Sequence, residues 1–133
     1  MRALLLFSSL GFAAAENGLK GWLRYASLPC SRQCHSNVPS SIVALNATET
    51  SPVHVAGTEL QNGLKDVYEK CLQITYNKCK TSSSVFIGTV GQHREICGAM
   101  NDVPELKEDG FWLNTKGENI YILGQNERGA LYG

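Results

Sequence analysis

The sequence predicts an α/β (α+β) domain, a two-layer sandwich in which a mixed β-sheet carries helices on one face. Three observations support this fold class. Two short β-branched apolar runs indicate buried strands, one long segment repeats its apolar residues at helical spacing, and a pair of strand-like runs around a Gly-containing turn indicates a hairpin. Helices and strands alternate first and a hairpin then closes the sheet, which is typical of a mixed sheet.

The strand predictions depend on β-branched and aromatic residues between turn signals. Residues 41–46 (SIVALN) and 84–90 (SVFIGTV) predict buried strands, and the Trp, Leu and Tyr of residues 21–26 (GWLRYA) suit a first strand. Residues 110–124 predict a hairpin, GFWLNT and NIYILG, around the turn KGE. The polar residues 77–84 predict a linker.

The clearest helix prediction begins after Ser51, which can cap a helix, and Pro52 fits the first turn because its missing N–H is not needed there. Apolar residues then recur three and four apart on one face: Val53, Ala56, Leu60, Leu64, Val67 and Cys71. A short helix is predicted over residues 91–98. A third helix is predicted to begin at Asn126 as cap, with Glu127 in its first turn.

Residues 1–15 have the organisation of a secretory signal peptide: a basic Arg2, an apolar run over residues 3–12 and the small residues AAA at 13–15. The alternatives are a buried helix or a membrane anchor, but the run is shorter than the ~20 residues that span a bilayer. Cleavage leaves one domain, residues 16–133, in an extracellular protein. The 12 basic and 12 acidic residues of the full sequence cancel, so no nucleic acid is expected as a partner. No later segment is long and apolar enough to span a bilayer, so no membrane is expected either.

The cysteines predict a disulfide-containing protein, because pairing is the default in an oxidising compartment. The disulfide candidates are Cys30, Cys34, Cys79 and Cys97. Three connectivities are open to them, and Cys30–Cys34 with Cys79–Cys97 is favoured. Cys71 is predicted to be the free thiol, because it falls on the apolar face of the predicted helix. Asn46 begins an Asn-Ala-Thr sequon and is a candidate glycosylation site.

Candidate chemistry is present but each case has a more ordinary interpretation. Cys30, Cys34 and His35 could ligate zinc, yet only the distant His54 and His93 could complete the site, so a disulfide is favoured. A glycosidase usually needs two carboxyl groups. The acids available for that role lie in predicted loops, a turn and a helix start, where solvation explains them: Glu105, Glu108, Asp109, Glu118 and Glu127.

Motifs for nucleophilic catalysis and for ligand binding likewise identify no functional site. No Gly-x-Ser-x-Gly elbow or phosphate-binding loop occurs. Trp22, Trp112 and Tyr121 could form a sugar-stacking platform, but aromatic residues on strands are more often part of the core. We therefore predict no catalytic, substrate-binding or metal-binding residues and no cofactor in this chain.

Two segments carry a resemblance to a known family: NGLKGWLRYASLP near the start, and DVPELKEDGFWLNTKGENIYILGQNERGALYG at the end. They resemble the amino-terminal domain of the fungal α-glucuronidases of glycoside hydrolase family 67. In that family a segment of the type GF-x-L…G…I-x-I-x-G…x-RG-x-LYG forms a hairpin and runs into a helix. HVAGTEL at residues 54–60 is similar to a family helix, and the four disulfide candidates sit where fungal members carry cysteines.

The resemblance implies an enzyme that removes 4-O-methyl-glucuronic acid from xylan side chains with inversion, using carboxylates on a (β/α)8 barrel. All catalytic positions would lie in that barrel, after residue 133, so none is carried onto this sequence. The resemblance also implies a small α/β sandwich like the front domain of chitobiases, packed beside the barrel. We therefore expect a truncated front piece, inactive alone, whose partners in the full-length protein are the barrel and xylan-derived oligosaccharides.

Two other kinds of function remain open at this point. One is an independent small secreted carbohydrate-binding module that uses the aromatic residues, and the other is a disulfide-pinned structural protein without a ligand. If Leu131 and Tyr132 belong to a helix that is incomplete here, the apolar sheet face beneath them should be exposed, and we expect marginal stability and self-association through that face.

Overall fold

A computed structural model describes residues 38–133. The predicted signal peptide and the predicted strand at 21–26 lie outside these residues. Five strands and three helices follow one another in the described part, in this order: β1 (Ser41–Ala44), α1 (Pro52–Tyr68), β2 (Gln73–Tyr76), β3 (Ser84–Thr89), α2 (Val90–Cys97), β4 (Phe111–Lys116), β5 (Asn119–Gly124) and α3 (Glu127–Tyr132). No helix among residues 38–133 has the length and apolar character needed to cross a bilayer.

The strands form one mixed sheet in the order β2-β1-β3-β5-β4. The four strands β2, β1, β3 and β5 are parallel, and β4 runs antiparallel to β5 as the second arm of the hairpin. The register places Ile42 beside Val85, Val85 beside Ile120, and Leu113 beside Ile122. The predicted mixed sheet and its closing hairpin are therefore confirmed.

The helices cover both faces of this sheet, so the prediction of a two-layer sandwich with helices on one face is wrong. Helices α1 and α3 lie on the face that carries Ile42 and Ile87, where Val53 of α1 and Ala130 of α3 join the same core cluster. Helix α2 lies on the opposite face, over a second core cluster around Phe86. The reason is visible in β1 and β3, whose side chains are apolar on both faces and need cover on both.

The first helix confirms its predicted cap but ends earlier than predicted. The Ser51 side chain accepts a hydrogen bond from the His54 backbone N–H at 3.2 Å, and the helix ends at Tyr68, where Glu69 adopts a left-handed conformation with φ 56°. Cys71 therefore lies on an exposed connection and not on the apolar face of a helix, although it is the free thiol that was predicted. The strand β2 that follows was not predicted, because four residues carry too little of a period-2 signal.

Candidate functional site

A group of polar side chains, which we call the α3 clasp (Asp109, Asn126 and Arg128), joins α3 to the hairpin. Asp109 precedes β4 with a φ of 57°. Its Oδ1 accepts hydrogen bonds from Asn126 Nδ2 at 2.7 Å and from Arg128 Nε at 3.2 Å. Its Oδ2 lies 3.1 Å from an Arg128 guanidinium nitrogen. The paired oxygens and nitrogens fix the start of α3 against the turn before β4.

The backbone approaches closely at the same place. Asn126 caps α3 by accepting a hydrogen bond from the Gly129 N–H at 2.8 Å, as its sequence position predicted. The Gln125 N–H donates to the Gly110 carbonyl at 2.9 Å. A Cβ on Gly129 would lie 2.5 Å from that same carbonyl oxygen, so only glycine lets α3 pack this tightly on the turn.

The candidate acids do not assemble into a catalytic pair. Asp109 is held in the α3 clasp, and Glu127 accepts a hydrogen bond from Gln92 Nε2 at 3.0 Å. Glu105, Glu108 and Glu118 are exposed. Each of the two described clefts is lined by a single carboxylate, whereas glycoside hydrolysis by the usual route requires two carboxyl groups facing one bond. Within residues 38–133 no group of three or more metal-ligating side chains is found.

The aromatic residues proposed as a sugar platform pack against the second core cluster where the structure describes them. Trp112 packs against that cluster. Tyr121 stacks on Phe86 at a centroid distance of 5.0 Å and meets the edge of His93 at 5.7 Å. The core interpretation is therefore correct for Trp112 and Tyr121, while Trp22 lies outside the described residues.

The two described histidines have separate structural roles. His93 is buried on the α2 face, and its Nδ1 lies 3.1 Å from the Gly98 carbonyl oxygen. Burial lowers the pKa of His93 below its ordinary value, because the charged imidazolium is poorly solvated there. His54 belongs to α1, and its Nδ1 lies 3.3 Å from the Tyr76 hydroxyl. The possible zinc site therefore gains no support from these histidines, and Cys30, Cys34 and His35 lie outside the described residues.

The disulfide prediction is confirmed for one pair. Cys79 and Cys97 are bonded, and this bond ties the loop after β2 to the end of α2. The other predicted pair, Cys30–Cys34, lies outside the described residues. Asn46, the candidate glycosylation site, is exposed just after β1 and has a φ of 48°.

A mainly apolar cleft of about 450 Å³ lies between α1 and α3, and we call it the α1–α3 cleft. Leu60, Leu64 and Val67 of α1 line one wall, and Leu131 and Tyr132 of α3 line the other. Leu131 is 38% exposed and Tyr132 is 62% exposed. Apolar surface left bare near Leu131 and Tyr132 was predicted from the sequence, whereas the contribution of α1 to that surface was not.

Comparison with known proteins places these features in a family. A family model described as the N-terminus of glycosyl hydrolase family 67 matches residues 21–133. Proteins described as probable alpha-glucuronidase A from Neosartorya fischeri and Aspergillus fumigatus are each 52% identical to this chain over 128 residues, which is 96% of the chain and 15% of the relative. A third from Aspergillus niger is 42% identical over 130 residues, 98% of the chain and 15% of the relative.

These matches confirm the resemblance predicted from the sequence, and they also show how much of each relative the chain covers. The chain spans only about 15% of the length of the curated relatives that it matches. The family match includes the hairpin, the α3 clasp and both walls of the α1–α3 cleft. The chain belongs to the family of N-terminal domains of glycosyl hydrolase family 67.

Proposed function

We propose that this chain is the non-catalytic N-terminal domain of a secreted α-glucuronidase that removes 4-O-methyl-glucuronic acid side chains from xylan. The observation that carries the proposal is the family match over residues 21–133, together with relatives named as probable alpha-glucuronidases of which this chain is a small part. The catalytic carboxylates then belong to the remaining polypeptide of the full-length enzyme.

The described acids support a structural role for this domain. An inverting glycosidase holds its two carboxyl groups about 6.5–9.5 Å apart across the bond to be cleaved, so that a water molecule fits between them. Here Asp109 is paired with Arg128, and Glu127 is bonded to Gln92. Both carboxylates therefore serve the packing of α3 and are not directed together into a cleft.

The first experiment measures release of 4-O-methyl-glucuronic acid from xylan-derived aldouronic acids. The purified chain alone should release none. A fusion of residues 16–133 to the remaining polypeptide of the Aspergillus fumigatus relative should release it at a rate close to that of the relative itself. Release by the chain alone would contradict the proposal, and so would full activity and unchanged thermal stability in a relative that lacks the matching segment.

An independent carbohydrate-binding module is the competing proposal, and binding to insoluble xylan discriminates between the two. The packing of Trp112 and Tyr121 into the core argues against their use as a sugar platform. The chain should therefore remain in the supernatant after incubation with xylan. Retention that is lost in Trp112→Ala but kept in a core variant of equal stability would favour the binding module.

Secretion is part of the proposal and has its own test. The mature protein recovered from a fungal culture medium should begin at Glu16, directly after the predicted cleavage site. Because Asn46 is exposed, a glycan there would meet solvent, and Asn46→Gln should abolish any mass loss on treatment with a glycosidase that removes N-linked glycans. An intact residue 1–15 segment in secreted protein would contradict the predicted cleavage.

A further inference from the structure

The α1–α3 cleft has the chemistry of a protein-docking surface. Its walls are the leucine and valine side chains of α1 on one side and Leu131 and Tyr132 on the other, and Ile122 of β5 contributes to the lining between them. Glu59 is the one charged residue among the described residues that line it. A surface of this kind is stabilised by an apolar partner, since water cannot satisfy it.

A sugar does not fit these walls. A uronic acid offers hydroxyl groups and a carboxylate, which need hydrogen-bond donors and a cationic side chain for recognition. The lining residues of the α1–α3 cleft include no lysine or arginine, Glu59 would repel the carboxylate, and the side-chain hydroxyl donors are limited to Tyr68 and Tyr132. The cleft is therefore better suited to apolar side chains than to a uronic acid.

We propose that the α1–α3 cleft receives the apolar face of a helix from the polypeptide that follows this domain in full-length family members. The inference rests on the proposed function and adds the surface through which the domain is held. Two observations identify the occupant. The last turn of α3, up to Gly133, itself lines the cleft, so polypeptide continuing from α3 leaves the domain beside it. The relatives also contain far more chain than this domain, which covers 15% of them.

Backbone chemistry favours a helix over a loop as the occupant. An apolar cleft offers almost no partners for free N–H and C=O groups, and each such group that is buried unpaired is destabilising. A helix pairs these groups internally and presents only side chains. Leu60 and Leu64 stand one turn apart on α1 and form a ridge of the kind that packs into the groove of a second helix.

Hydrogen–deuterium exchange in the full-length enzyme tests the proposal. Amides of residues 60–68 should exchange about tenfold or more slowly in the full-length protein than in the 133-residue chain, because docking opposes local opening of α1. Leu131→Glu in the full-length enzyme should return these amides towards the faster rate. Val55→Glu is the matched control, since Val55 is on α1 and 42% exposed but does not line the cleft.

Separate controls test whether the variants are folded and which partner occupies the cleft. Amides of α2, on the opposite face of the sheet, should exchange at equal rates in all variants. If Leu131→Glu unfolds α3, Leu131→Ala is used in its place. Equal exchange of residues 60–68 in the two proteins, or equal effects of Leu131→Glu and Val55→Glu, would overturn the proposal. Protection that depends on concentration in the 133-residue chain and is absent at high dilution in the full-length enzyme would assign the cleft to a second copy.

The proposed function can fail independently of this result. If removal of the whole domain leaves the activity and stability of the enzyme unchanged, the scaffold role itself is wrong. If activity depends on the domain while residues 60–68 remain unprotected, the scaffold role stands and only the assignment of the α1–α3 cleft is wrong.

Discussion

Replacing Gly129 with alanine tests whether the close approach of α3 to the turn before β4 holds the domain together. The added Cβ would lie 2.5 Å from the Gly110 carbonyl oxygen and 3.2 Å from backbone atoms of Asp109. Ordinary contacts of a Cβ begin near 3.4 Å, so the two segments would have to separate by roughly 0.9 Å. Because every atom in the way belongs to the backbone, no side-chain rotation relieves the overlap.

The cost follows from two contributions. Overpacking of this kind destabilises a protein by about 1–3 kcal/mol. The separation would also weaken the hydrogen bond from Gln125 N–H to the Gly110 carbonyl, worth about 1 kcal/mol. The free energy of unfolding should therefore fall by about 2–4 kcal/mol. With a urea dependence of about 1.5 kcal/mol per molar, the unfolding midpoint followed by tryptophan fluorescence should fall by roughly 2 M.

Gly57→Ala is the matched control, because Gly57 is also buried but lies within α1. A Cβ there would meet Ile42 and Ile74 at 3.9 Å, an ordinary contact. Alanine favours the helix over glycine, so this variant should be more stable by about 0.5–1 kcal/mol. The reasoning is refuted if the two alanine variants move the midpoint in the same direction, or if Gly129→Ala lies within about 0.3 M of the original protein.

Three further predictions concern the remaining described features. Removing the disulfide in a Cys79→Ala/Cys97→Ala variant, whose cysteines are 18 residues apart, should lower the free energy of unfolding by about 3 kcal/mol in urea titrations; an unchanged midpoint would contradict this. Since burial lowers the pKa of His93 from 6.5, the unfolded chain takes up a proton first, so stability should fall as the pH drops below about 6.5 and towards the lower folded-state pKa. This contribution changes the free energy of unfolding by at most about 1.4 kcal/mol per pH unit. Urea titrations of the original protein and of His93→Gln at pH about 7.5 and about 5.5 isolate it, because only the original protein carries the imidazole. An equal change in the free energy of unfolding in the two proteins would be inconsistent with the burial of His93. Finally, Cys71→Ser should reduce thiol labelling of the native protein by one group per chain without altering the urea midpoint, because Cys71 is free and exposed; unchanged labelling would show that this thiol is not accessible.

Features set by local chemistry could be predicted from the sequence. Ser51 and Asn126 cap their helices because a short polar side chain before a helical run satisfies a free N–H, whatever the rest of the chain does. The hairpin was predictable for the same reason, since the KGE turn contains Gly117 with a φ of 63° between two strand-forming runs. The Cys79–Cys97 pair was favoured among three connectivities that the spacing alone could not resolve.

Features set by contacts between distant segments could not be predicted in this way. The face chosen by α2 depends on Phe86 and Tyr121, which meet His93 only after the sheet has formed. The strand β2 is specified by its parallel partner β1, in which Val43 lies beside Thr75, and not by its own four residues. Neither signal is present in a local window of the sequence.

The residues at the end of the chain that carry the resemblance to the family have a packing role in this structure. Arg128 binds the Asp109 carboxylate, and Gly129 provides the space that lets α3 rest on the Gly110 carbonyl. These residues fix the direction in which α3 runs, and therefore the position at which the α1–α3 cleft opens. Asp109, Arg128 and Gly129 therefore serve to position α3, which agrees with the non-catalytic role proposed for this domain.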